Sequence, residues 1–257
     1  MLVGQRARRR LWIALVAAGS AVVVALGVVI AVRAWLTEAP RDVGVAETVA
    51  HFRAAASETA AIDGVYVYDT TGTESVDVLG GDIHTYPVIS ALTVTTEGCG
   101  VRMTWKPQDG RSESWLVCAS DGGLTTPRSN SVHSFFRQTY DTAFVCVGSW
   151  WVAPPGLTEW SSSCVNQDRT STRDARVVGI EPYELDGRPR EAIHERWVDQ
   201  LSRGSEGTVT TEIWIDQKTG LMLRQHAVTD SRNDSPVGKV VFREDLDLKL
   251  RSLVPLR

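Results

Sequence analysis

From Ala175 onward the chain alternates apolar and polar residues with a period of two, a pattern satisfied by strands with one dry face and one wet face. The segment Gly238 to Leu250 is the most regular. Val240, Phe242, Leu246, Leu248 and Leu250 share a face on which Glu244 is the only charge, against Lys239, Arg243, Asp245, Asp247, Lys249 and Arg251 on the other. Four similar segments precede it, Arg176 to Glu184, Arg190 to Leu201, Thr208 to Asp216 and Leu221 to Thr229. Leu185-Asp186-Gly187, Ser202 to Gly207 and Lys218-Thr219-Gly220 separate them as turns, so a five-strand antiparallel meander is expected.

Upstream, Gly64 to Thr70, Ser75 to Leu79 and Ser90 to Thr96 read as strands, punctuated by Thr71-Gly72 and Gly80-Gly81. Ser129 to Phe136 is open between strand and short helix, and a strand follows around Ala143 to Gly148. An amphipathic helix is expected over 42–61, with Asp42 as N-cap and Val45, Val49, Phe52 and Ala56 as the apolar stripe that covers a sheet face. The fold class is therefore mainly β: an antiparallel sheet over 64–257, about ten strands, with one covering helix.

Cys99, Cys118, Cys146 and Cys164 include no Cys-x-x-Cys pair, which disfavours zinc and thioredoxin-like chemistry and leaves disulfides. If Pro107-Gln108-Asp109-Gly110 closes a hairpin as a four-residue loop, Lys106 faces Arg111 and Cys99 faces Cys118, leaving Cys146 to pair with Cys164. The same register puts Cys99, Val101, Met103, Trp105, Leu116 and Cys118 on the core face. Arg111, Glu113 and Trp115 fall on the solvent face, with Arg102 opposite Trp115.

Leu11 to Val32 carries no charge and, at about 1.5 Å per residue, is long enough for a hydrocarbon core of about 30 Å. Arg6, Arg8, Arg9 and Arg10 flank it on the N-terminal side, which predicts a cytoplasmic tail (1–10), a transmembrane signal anchor (11–36) and an extracytoplasmic domain (37–257) in the cell membrane. A cleavable signal peptide is the alternative. Residues 1–36 hold five arginines and no acid, so the remainder has 22 bases against 31 acids, a formal charge of −9 that repels nucleic acid.

No catalytic motif emerges. His51, His84, His133, His194 and His226 form no His-x-x-x-His pair, and neither a Gly-x-Ser-x-Gly elbow nor a metal or cofactor motif is found. His194 and His226 alternate with charged residues as surface histidines do. Two features point to binding. Trp150, Trp151 and Trp160 crowd the loop between Cys146 and Cys164 as a partner-binding candidate. Val101, Met103, Trp105, Trp197, Ile213, Ile215, Phe242 and Leu246 form an inward apolar face, a candidate ligand groove.

The run Glu212-Ile213-Trp214-Ile215-Asp216-Gln217-Lys218-Thr219-Gly220-Leu221-Met222-Leu223-Arg224, with the order of anchor, helix and strands, resembles the periplasmic lipoprotein-carrier family and its relatives among envelope lipoproteins and anti-sigma-factor regulators. The segments Gly64 to Gly72 and Val240 to Leu253 also look like those of membrane-anchored proteins from GC-rich monoderm bacteria. The first resemblance implies an open half-barrel closed by helices, whose concave face takes an acyl chain or a peptide partner. The expected function is a membrane-tethered binding or sensory domain for a lipid or lipoprotein ligand or an envelope protein. The alternatives are a hydrolase with a dispersed site and a structural subunit of an envelope complex.

Overall fold

The computed structural model describes residues 25–37, 39–55, 62–235 and 238–257. The chain divides into two compact units, Met1–Glu38 and Ala39–Arg257. In the first, 25–36 is helical (α1). The expected membrane anchor is corrected here: among the described residues no helix is long and apolar enough to cross a membrane. Residues 11–24 of the expected span lie outside the described residues. The single-pass membrane attachment, the cytoplasmic N-terminus and the cell-membrane location drawn from that span therefore fall with it.

The second unit is built from α2 (Val45–Ala55) and fourteen strands: β1 (Gly64–Val76), β2 (Asp82–Thr85), β3 (Ile89–Glu97), β4 (Gly100–Gln108), β5 (Arg111–Ser120), β6 (Gly123–Phe135), β7 (Gln138–Val147), β8 (Trp150–Val152), β9 (Glu159–Val165), β10 (Thr170–Leu185), β11 (Arg188–Ser202), β12 (Ser205–Asp216), β13 (Met222–Ser235) and β14 (Gly238–Leu250). The expected meander is present as β10 to β14. The open half-barrel is not. β1 pairs antiparallel with β14, from Tyr68 beside Leu250 to Val76 beside Phe242, and the sheet closes into a ring of twelve strands. Closure satisfies the backbone groups that an open sheet would leave bare on its first and last strands. β2 pairs with β1 and β8 with β6, outside the ring. The β6–β7, β11–β12 and β13–β14 hairpins mark its upper end, the β10–β11 and β12–β13 turns its lower end.

Two segments read as separate strands merge into β1, because Gly72 bends the chain without turning it. A side chain there would meet the Asp245 carbonyl at 1.9 Å, so only glycine allows β14 so close. Ser129 to Phe136 resolves as strand, within β6. The helix begins at Val45 where Asp42 was expected to cap it, and 56–61, including Ala56, lie outside the described residues. Val49 and Phe52 pack on Val65 and Ala91, so α2 covers the outer wall over β1 and β3.

The cysteine hairpin is corrected in register. Gln108 pairs with Arg111 across a two-residue Asp109-Gly110 turn, the sequence that suits the strand twist best, with Gly110 at φ 78. A bulge between Trp105 and Gln108 takes back one of the two residues by which the shorter turn moves the pairing, so Gly100, in place of Cys99, lies opposite Cys118. Cys99 is still close enough to bond Cys118, their Cα atoms 5.2 Å apart. A shift of one residue sends alternate side chains to the other face. Arg111, Glu113 and Trp115 accordingly point into the barrel, and Arg102 lies opposite Leu116, bonding Glu97 at 2.6 Å.

The ring has one narrow join. β7 meets β9 only at Val145, Cys146 and Val147, and the second disulfide bridges the directly paired Cys146 and Cys164. The two disulfides span 19 and 18 residues, so loop entropy alone assigns each about 3 kcal/mol. Replacing Cys146 and Cys164 by alanine should cost more than replacing Cys99 and Cys118, whose hairpin keeps its own ladder. Urea denaturation of the two double variants measures the difference, and equal losses would mean that the join needs no staple.

Candidate functional site

The inward positions of the lower and middle barrel form one apolar cluster. Of the eight residues expected to line a groove, Met103, Trp105, Trp197, Ile213, Ile215 and Leu246 are buried together in it, and Val101 is half-buried against it. Phe242 stands apart, near the upper end, with Val76, Phe135 and Val240. The Trp105 indole donates to Ser90 Oγ at 2.7 Å, which in turn contacts Thr70 Oγ1 at 2.6 Å, so these three polar groups are paired.

The tryptophan loop is divided. Trp151 turns inward, 1% exposed, packs between Trp115 and Trp197 at 5.9 Å from each ring, and donates to the Gly220 carbonyl at 2.9 Å. Trp150 and Trp160 are half-buried. The turn that Trp151 reaches is the Thr-Gly-Leu turn singled out in the sequence. Asp216 Oδ2 accepts from the Thr219 N–H at 2.9 Å and hydroxyl at 2.8 Å, holding the turn across the lower end.

The upper interior is charged. Glu74 and Glu244 are directly opposite one another on β1 and β14, both buried, an arrangement that repels unless a cation intervenes. Arg111 is that cation. It is 1% exposed, donates to Glu244 and Glu113 at 2.7 Å each, lies 3.4 Å from Glu74, and stacks 5.1 Å from the centre of the Trp105 ring. The Tyr86 hydroxyl donates to Glu244 as well. Glu74 also receives two histidines. His133 Nδ1 is 2.7 Å from one oxygen and His84 Nδ1 is 3.2 Å from the other, while His84 Nε2 reaches Asp82 at 3.2 Å. The upper end of β6 thus crosses to β1 and β2, and Phe135 stacks on His84 at 4.6 Å.

Burial raises the Glu74 carboxyl, but the hydrogen bonds of His133 and His84 and the charges of His133 and Arg111 outweigh it and bring it down to about 2. Burial lowers the His84 imidazole, and its bonds and proximity to Glu74 and Asp82 more than reverse that, leaving it raised. Deeper in the barrel, Glu195 is fully buried with Oε1 unpartnered. Burial pushes its carboxyl up to about 7, against the Trp197 indole at 2.9 Å, the Ala153 N–H and the charge of Arg173. Arg173 itself stacks 4.2 Å over Trp197 and bonds Asp199 at 3.1 Å.

Glu74, His84, Arg111, His133 and Glu195 escaped the sequence reading. The signal that pointed there was Glu244, alone on a dry face. His194 and His226 sit on the outer wall beside Glu212 and Asp245, at 2.6 and 3.3 Å. Among the described residues no group of three or more His, Cys, Asp or Glu could hold a metal ion. Ser131 Oγ lies 2.8 Å from His133 Nε2, and His133 Nδ1 2.7 Å from Glu74, the connectivity of a serine nucleophile, a base and an orienting acid. Its surroundings oppose such chemistry. Glu113 is the cross-strand neighbour of Ser131, and Arg111 is committed to carboxylates, so negative charge developing on a substrate oxygen would be repelled.

These groups set the pH dependence of stability. Glu74, depressed, stabilises above its usual 4.5, and that contribution is lost as pH falls toward 2. His84, raised, stabilises below 6.5, and its contribution is lost as pH rises through its folded value. Glu195, raised from 4.5 to about 7, withdraws roughly 3 kcal/mol over that interval. Stability should therefore peak near pH 4.5 and decline as pH rises toward 7. Glu195→Gln should leave stability near pH 4.5 unchanged and raise it by up to about 3 kcal/mol at pH 8, measured by denaturation at both pH values. Trp151→Phe, losing the bond to Gly220 and ring volume, should cost about 1–3 kcal/mol in the same assay.

Comparison with protein-family models and with curated proteins finds no match. Among solved structures, the hypothetical lipoprotein YmcC from Escherichia coli (K12) aligns over 79% of this chain and 96% of its own, at 12% identity and a TM-score of 0.33.

Proposed function

We propose that the chain is a binding protein of an oxidising compartment whose outer wall engages an envelope protein partner. Its own side chains occupy the barrel, and that occupancy carries the reading. Four cysteines joined in two disulfides suit an oxidising compartment. On the outside, Val145, Val147 and Val165 stand exposed around the β7–β9 join, Val147 by 74%. An aliphatic strip of this kind is a natural contact surface. An acyl chain among Met103, Trp105, Trp197 and their neighbours would instead require tightly packed rings to part.

In cell extract the chain should migrate on native gels as a complex larger than the monomer. Val145→Asp with Val147→Asp, both solvent-facing and so nearly neutral for folding, should return it to the monomer. A wild-type chain that runs as monomer defeats the proposal. Native mass spectrometry of the purified protein decides the occupant: a retained lipid would move the site to the interior.

The Ser131–His133–Glu74 relay supports a second reading, acyl hydrolysis. A fluorophosphonate probe should leave Ser131 unlabelled if binding is the function. Labelling that is lost in His133→Ala would establish the hydrolase instead.

A further inference from the structure

We infer that the partner adds an extended strand, with a lysine or arginine opposite Asp141, to the upper edge of β7; this rests on the partner reading above. β7 pairs with β6 along Gln138 to Val145 and with β9 only from Val145 on. Among the described residues no strand pairs with the other edge of Gln138 to Phe144, and Gln138, Thr139, Tyr140 and Asp141 are all exposed. An unpaired edge presents a row of free backbone donors and acceptors, which a partner strand satisfies.

The same molecule supplies the control. β10 pairs with β9 as far as Arg176, and Val177 still donates to the Thr158 carbonyl, so among the described residues no strand pairs with its edge from Val178 to Leu185. That edge is blunted by three devices: a bulge between Val177 and Gly179, Pro182, and the charges of Glu181 and Glu184. Gln138 to Val147 has no proline, no glycine, no lysine and no bulge against β6, and Thr, Tyr, Phe and Val favour the extended chain. One edge is protected against pairing and the other is ready for it.

Charge selects the occupant. Asp141 is the single ionisable group on the outward row of β7, which continues through Ala143 to Val145 and Val147. A second copy would bring another Asp141 and another strongly acidic body to the same place, so self-pairing is opposed. A basic, β-branched segment from another protein fits both the acid and the aliphatic strip.

The test uses the full chain and a blocked peptide of alternating threonine and valine with one central lysine. Hydrogen exchange at 138–144 should slow about tenfold on binding, with 178–185 unaffected. N-methylation of the peptide's alternate amides should abolish protection. Asp141→Lys should weaken binding roughly two- to fivefold, and a glutamate-centred peptide should restore it. Equal protection of both edges, no protection, or a wild-type dimer whose dissociation exposes β7 would each overturn the proposal. If the Val145/Val147 variant dissolves the native complex while the peptide protects nothing, the partner reading stands and strand addition falls. If neither responds, both fall.

Discussion

Two carboxylates face each other across the closure of the barrel, and one arginine from β5 makes that tolerable. Glu74 and Glu244 occupy paired positions on the strands that complete the ring, so their repulsion acts where the sheet must join. Arg111 spans the interior to reach both, and Tyr86, Glu113, His84 and His133 satisfy what remains. Removing one partner of a buried ion pair typically costs about 3–5 kcal/mol, because the other charge is left uncompensated. The upper barrel therefore holds together as a network or not at all, whereas the lower barrel rests on ring packing that tolerates single changes better.

This division explains why the two ends differ in character. Below, Trp151 and the Asp216–Gly220 turn close the floor with one indole bond and a self-contained turn. Above, the β6–β7 hairpin is attached through His133 and Phe135, both dependent on groups that titrate or stack at Glu74 and His84. β7 is covered on one side and bare on the other, a consequence of the join to β9 being only three residues long.

The period-two alternation made β10 to β14 legible, because each has one buried face and a glycine-bearing turn on most of its ends. The cysteine pairing was legible even though the register that suggested it was off by one residue, since neighbouring cross-strand positions also lie within bonding distance. That one-residue difference hid the charged site. With a four-residue loop, Arg111, Glu113 and Trp115 read as a wet face; the two-residue turn together with the bulge between Trp105 and Gln108 makes them interior. Closure was illegible for another reason: β1 and β14 each look like any half-buried strand, and nothing local says that they meet. The helical span at the N-terminus was inferred from hydropathy alone, a pattern that the described residues do not continue into a spanning helix.

The pairing of β1 with β14 has a consequence for how the chain reaches this state. Tyr68 must find Leu250, so the wall cannot close until β14 is in place. Non-local pairing of this kind folds slowly, because the entropy of bringing distant segments together is lost before their contacts form. Until then β1 and β14 are both raw edges, and the meander β10 to β14 waits with Glu244 unneutralised. β14, the last of the ring's strands along the chain, carries Glu244 of the buried charge network, so truncation into β14 would open the wall and leave Arg111 short of a partner.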